Sequence, residues 1–248
     1  MARIVFVHGS VGNGDTAWAA QRPLADEYEL VVLNRPGFPP GPLVERVDFE
    51  EQAGWVAERL QPGDHLCGQS YGGVVSLYAA ALEDGLASLT VVEPPAFGLA
   101  AGRPQVDEFI ARLKPLWAGE GPDEPRAFLA AFYGLVRGKP VELPDPLPPD
   151  QYQGAQVLMI ERGPWEADPP LAELRSEPFP KLVVSGGWSP QFDAVCDVLE
   201  ERLDAERASS RATATTRSSS ANRSTACCAP SSSAPGPNPA RSLRRRRA

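Results

Sequence analysis

The chain has 248 residues, 42% of them apolar, which is enough for one large domain with a buried core, and no apolar run approaches the roughly 18 residues of a membrane span. Its formal charge of −8 hides a division: nine arginines follow the last carboxylate, Glu206, and removing their +9 leaves −17 on residues 1–206, an acidic body that argues against nucleic acid or any other polyanion as partner. No secretory leader is read at the N-terminus, so a soluble cytoplasmic protein is expected, and Cys67, Cys196, Cys227 and Cys228 form neither a C-x-x-C pair nor a zinc spacing, so they read as plain thiols with no metal or disulfide role.

Residues 3–7 read as a short buried strand that runs into His8-Gly9-Ser10, a loop whose later glycines, Gly12 and Gly14, let several backbone amides turn toward one edge of a sheet. Residues 18–28 space apolar positions at three and four, as a helix would. A second strand at 30–33 ends in Asn34-Arg35-Pro36-Gly37, and a helix is predicted over 49–60. A third strand, 65–67, leads into Gly68-Gln69-Ser70-Tyr71-Gly72-Gly73, and a helix over 71–82 follows. That is G-x-S-x-G between strand and helix, where the serine occupies a strained turn so tight that a side chain at either glycine would collide. The turn aims the Tyr71 amide at charge developing beside the Ser70 hydroxyl, and the Ser10 amide is the candidate for a second donor. A phosphate-cradling loop is the competing reading of the glycines, but neither G-x-G-x-x-G nor a Walker lysine is present.

A fourth strand at 89–92 stops at Glu93-Pro94-Pro95. Residues 94–180 then break the alternation, holding 16 of the 27 prolines, two helical patterns at 105–117 and 126–136, and a proline-rich stretch at 140–149. This reads as an inserted lid, with a long irregular connection as the alternative. Its aromatics Phe109, Trp117, Phe128, Phe132 and Tyr133 either line an apolar pocket or serve as plain core. A fifth strand at 182–184 and a helix at 191–203 complete a mostly parallel, doubly wound α/β sheet with helices on both faces.

Together, His8-Gly9-Ser10 after the first strand, Asn34-Arg35-Pro36-Gly37 after the next and the Ser70 elbow resemble the α/β-hydrolase family over residues 3 to about 206. The resemblance implies an α/β-hydrolase fold with residues 1–93 and 181–206 as core and 94–180 as lid or cap. It also implies esterase, thioesterase or lactonase chemistry on a small-molecule acyl substrate, with no cofactor and no metal. His8 and Gly9 would brace the oxyanion loop, Gly68 and Gly72 the elbow. The family's acid follows strand 6 or strand 7, which leaves Glu93, the preferred position, and Asp193 as candidates.

The family's base is the departure. The chain holds two histidines; His65 stands five residues before Ser70, roughly 16 Å away along an extended strand, and His8 belongs to the oxyanion loop. The expected Gly-x-Gly-His loop should follow Leu203, yet 207–248 reads as a disordered, arginine-rich tail with one aliphatic larger than Ala, Leu243, so the fold is expected to be truncated at its last strand and helix. Shifting the reading frame at the Ala208/Ser209 junction permits Val-Val-Pro-Gly-Asn-Gly-His-Asn-Pro-Gln-Leu-Ile, a strand followed by that loop. An out-of-frame tail is therefore expected, against a basic nucleic-acid arm or a localisation signal at Arg244–Arg247. Three functions stay open: a serine acyl hydrolase, a catalytically impaired remnant of one, and a non-catalytic ligand-binding homologue. The oligomeric state is not legible.

Overall fold

The computed structural model describes residues 1–209. In chain order these form β1 (Arg3–Val7), α1 (Gly14–Ala17), β2 (Glu29–Leu33), α2 (Phe49–Ala57), β3 (His65–Gln69), α3 (Tyr71–Ala79) and β4 (Ser88–Val92), then α4 (Pro104–Pro115), α5 (Pro125–Arg137), α6 (Pro149–Met159) and α7 (Leu171–Ser176), and finally β5 (Lys181–Ser185), α8 (Pro190–Leu203) and β6 (Glu206–Ser209). The strands make one parallel sheet in the order β2-β1-β3-β4-β5-β6.

Both faces of the sheet are buried, as β-branched strands without polar alternation require. Along β1, Ile4 and Phe6 pack with Trp18 and Cys67 on one face, while Val5 and Val7 join Leu66, Val75 and Leu89 on the other. The period of two divides successive side chains between two cores. Helix α2 starts where the Asp48 side chain accepts from the amides of Glu50 and Glu51, and it buries Phe49, Ala53 and Val56. The order of strands reverses direction at β1 and β3, so the crevice for a ligand opens at their carboxyl ends. The register sets Val7 beside Gly68 and Gln69 beside Val92, which brings the loops that follow β1, β3 and β4 to one edge.

Several expectations need correction. Residues 18–28 do not form an α-helix; the chain makes a 3₁₀ run, Ala19–Asp26, with Pro23 inside it, where the missing amide and the ring's bulk oppose an α-helical turn. The inserted segment holds α6 and α7 besides the two helices expected, α6 beginning at Pro149 in the first-turn position that tolerates proline. The folded body does not close at Glu206: β6 continues to Ser209, paired in parallel with β5 from Leu182 opposite Glu206 to Ser185 opposite Ser209. Arg207 anchors it through the Ser185 hydroxyl at 2.9 Å and the acidic face of α8, with Asp197 at 3.5 Å and Asp193 at 3.8 Å. The expectations for 210–248, the frame shift included, lie outside the described residues. Among the described residues no helix is long and apolar enough to cross a membrane.

Candidate active site

Ser70 links β3 to α3 with φ 52° and ψ −129°, a conformation that costs an L-residue on the order of 1–3 kcal/mol. The surroundings hold it there. Its amide donates to the Val92 carbonyl at 2.8 Å, and its own carbonyl accepts from Gly73 at 2.7 Å. The two glycines are there for close approach: a methyl at Gly68 would lie 2.5 Å from the Gly72 carbonyl oxygen and against the Ser76 hydroxyl, and one at Gly72 would lie 2.5 Å from the Val7 carbonyl oxygen and against that of His8. The elbow is thus clamped between its own helix and the end of β1. Tyr71 is the first residue of α3, so helix geometry leaves its amide without an intrahelical partner.

The loop after β1 crosses the serine directly, since a methyl on Gly9 would touch the Ser70 Cβ at 2.8 Å. His8 is fully buried, and its ring is spent on structure. The Arg35 amide can only donate, so Nε2, 3.0 Å away, is the unprotonated nitrogen, and Nδ1 donates to the Gly9 carbonyl at 2.7 Å. Burial pushes its pKa down to about 3, with the Arg35 charge acting in the same direction. His65 lies at the other end of β3, with Nδ1 2.8 Å from the Ser88 hydroxyl. The structure therefore brings neither histidine to Ser70 as a base.

Two residues that sequence reasoning missed organise this loop. The Arg35 guanidinium is completely buried, lies over the rings of Phe38 and Tyr71 at 4.4 and 5.1 Å, and donates to Gln52 Oε1 at 2.5 Å, to the Gly9 carbonyl at 2.9 Å and to Glu161 Oε1 at 3.1 Å. Glu161 in turn accepts the Ser10 hydroxyl on Oε2 at 2.5 Å. Burial raises the Glu161 pKa and lowers that of Arg35, and the charge of each partner opposes the shift of the other. Glu161 ends the turn after α6, 126 residues from Arg35, and the chain there is tied to Val47 by the amides of Val47 and Arg162 at 3.0 and 2.7 Å. Helix α6 also presses on the loop, because a methyl at Gly154 would collide with the Val11 carbonyl, and Val11 itself is held at φ 72°. No local pattern marks a glutamate after a weakly patterned helix as buried.

Of the two acid candidates, Glu93 ends β4 at φ 46°, next to the Val92 carbonyl that receives the Ser70 amide. Its Oε1 accepts from the Gly186 amide at 2.8 Å, and the Trp188 side chain adds a second hydrogen bond. Burial raises its pKa, which those two donors oppose. Asp193 lies in the first turn of α8, with its carboxylate toward Arg207.

Ser70 stands between two cavities. The inner one has about 40 Å³ of free space, room for about three waters, and its walls are apolar except at Ser10, Ser70, Glu161, the Tyr71 ring and the Trp117 indole. The outer one, about 400 Å³, opens past Gly9, Gly12, Thr16 and Tyr133, and shares Ser10, Ser70, Phe132, Val136 and Phe192 with the inner. Phe109, Trp117 and Phe132 are pocket walls, whereas Phe128 packs as core with its ring 5.4 Å from that of Trp117. Among the described residues no three His, Cys, Asp or Glu side chains converge as metal ligands would.

A parallel sheet with a strained serine at its switch point and inserted helices over that serine defines an α/β hydrolase scaffold. The Alpha/beta hydrolase family matches residues 4–220, and the chain belongs to that family. An alpha/beta hydrolase from Sphaerobacter thermophilus superimposes with a TM-score of 0.63 at 19% identity, covering 91% of this chain and 90% of that one. A lipase-esterase related protein from Clostridium acetobutylicum gives 0.59 at 13% identity, covering 84% of each. The dihydrolipoyllysine-residue acetyltransferase component of the acetoin cleaving system of Cupriavidus necator is 29% identical over 124 residues, 46% of this chain. The chain matches about a third, 33%, of that relative's length.

Proposed function

We propose that this hydrolase cleaves an ester, thioester or similar acyl bond through Ser70. The observation that carries the reading is the Ser70 backbone, held at φ 52° between two glycines that admit no side chain and facing a loop so close that a methyl on Gly9 would meet the serine Cβ. The Ser70 hydroxyl attacks the carbonyl carbon. The amides of Tyr71 and Ser10 receive the oxyanion, each contributing on the order of 3 kcal/mol to the barrier. The acyl group fills the inner cavity while the leaving group departs through the outer one, and water then releases the acyl group from Ser70. Glu93 orients the base, a histidine encoded in the frame that opens at the Ala208/Ser209 junction. The acetyltransferase named among the relatives supports acyl-group chemistry.

A second reading is favoured by the fate of the two histidines, both committed elsewhere: the 248-residue chain is a catalytically impaired form of this hydrolase. Intact-mass analysis after treatment with a fluorophosphonate separates the two. One adduct, absent from Ser70→Ala, supports the enzyme. An adduct seen only after the frame is restored supports the impaired form, and none in either chain overturns both.

A further inference from the structure

We infer that the buried Arg35–Glu161 pair has a positioning role: it aims the Ser10 amide at Ser70 by holding the other end of the same peptide. The inference rests on Ser10 being the second oxyanion donor. A trans peptide is planar, so the Gly9 carbonyl and the Ser10 N–H point in opposite directions, and whatever fixes one fixes the other. The Gly9 carbonyl is fixed from two sides, by Arg35 Nη2 at 2.9 Å and by His8 Nδ1 at 2.7 Å, which uses both of its lone pairs. The next peptide is held too, with the Ser10 carbonyl accepting from the Gly12 amide at 3.0 Å. At the free end, the Ser10 amide meets no acceptor among the described residues, and Ser10 lines both cavities beside Ser70.

The Nη2 that donates to Gly9 is also the atom 3.1 Å from Glu161 Oε1, and the other oxygen of that carboxylate takes the Ser10 hydroxyl. One glutamate therefore braces the peptide from both its residues, through Arg35 on Gly9 and directly on Ser10. Glu161 follows α6 in the inserted segment, so the aim is complete only when that segment lies on the loop. Stability does not account for the pair. Both side chains are sealed from solvent, and a sealed ion pair generally holds a fold no better than apolar groups of similar size. Orientation does account for it, since an apolar pair would fill the same space and leave the Gly9 carbonyl to the His8 ring alone.

Proton–proton cross-relaxation in the 248-residue chain, deuterated except at serine and at the exchangeable amides, tests this without asking Ser70 to react. The contact from the Tyr71 amide to the Ser70 β protons is the internal reference, because the two residues are adjacent at the start of α3. A contact from the Ser10 amide to the same protons is expected beside it, as a methyl on Gly9 would lie 2.8 Å from the Ser70 Cβ. In Arg35→Met/Glu161→Leu the ratio of the two contacts should fall by about 10-fold, the Gly9–Ser10 peptide being free to turn its N–H away. Arg35→Lys, which keeps the charge facing Glu161 and loses the fork, takes its place should the double variant fail to fold, with the same loss expected. No Ser10 contact in the unaltered chain, or a ratio unchanged in the folded variant, overturns the inference and leaves the Ser70 nucleophile standing. No phosphonyl adduct at Ser70 in either frame removes the oxyanion that the amide would serve, and overturns the acyl-hydrolase reading and this inference together.

Discussion

The Arg35 amide donates to Nε2 of His8 at 3.0 Å, and this bond decides which protonation state the histidine beside the site adopts. With Nε2 an obligatory acceptor, the ring is neutral with its proton on Nδ1. Imidazole nitrogen shifts recorded from pH 8 to 5 are expected to show one His8 tautomer and no titration. Because the folded pKa lies near 3 and the ordinary value at 6.5, the unfolded chain binds the extra proton across that window. The His8 contribution is therefore complete above about pH 6.5 and declines as pH falls, by about 1.4 kcal/mol per unit. Urea titrations of His8→Gln should show a pH slope shallower by that amount.

Gly72→Ala is expected to destabilise the fold by about 2–3 kcal/mol, since its methyl meets the carbonyls of Val7 and His8, which are fixed by the sheet. Gly54→Ala is the control: it lies within α2 with nothing near its missing Cβ, and should stabilise by about 0.5–1 kcal/mol. Thermal unfolding of the pair checks both signs.

Breaking the Arg35–Glu161 pair should cost more than removing it. Arg35→Met leaves Glu161 buried without its counter-charge, and Glu161→Leu leaves Arg35 likewise, so each single change is expected to cost about 3–5 kcal/mol. The double variant should recover at least half of the summed loss in urea denaturation. Simple addition of the two losses would contradict the pairing.

How much of this was legible follows from where each signal lives. The elbow could be read because its requirements are local: Gly68, Ser70 and Gly72 lie within five residues and their spacing is a steric rule. The strands could be read because both faces are buried and each segment is short and β-branched. Apolar spacing alone predicts a helix over 18–28, and Pro23 within that span is the residue that opposes one. Strand β6 was missed because Glu-Arg-Ala-Ser has no strand pattern, and it pairs through backbone register while Arg207 binds a charged helix face. Arg35 and Glu161 meet only when the helices inserted after β4 come down on the loop after β1, and a charge gives no sign in sequence of being buried.

If the frame beyond Ala208 is restored, Glu93→Gln should lower kcat by roughly 10⁴-fold, the cost of misorienting a triad histidine. Asp193→Asn should change it by less than about threefold, because Asp193 faces Arg207. The reverse order would transfer the acid role to α8.

The most direct test compares steady-state hydrolysis of a short-chain acyl thioester by two chains that differ only in frame beyond Ala208, each with and without Ser70→Ala. The restored chain should exceed the 248-residue chain by on the order of 10⁴–10⁶ in kcat, with Ser70→Ala abolishing that gain. Equal rates from both chains, or hydrolysis that survives Ser70→Ala, would contradict a Ser70 nucleophile that awaits a base from the other frame.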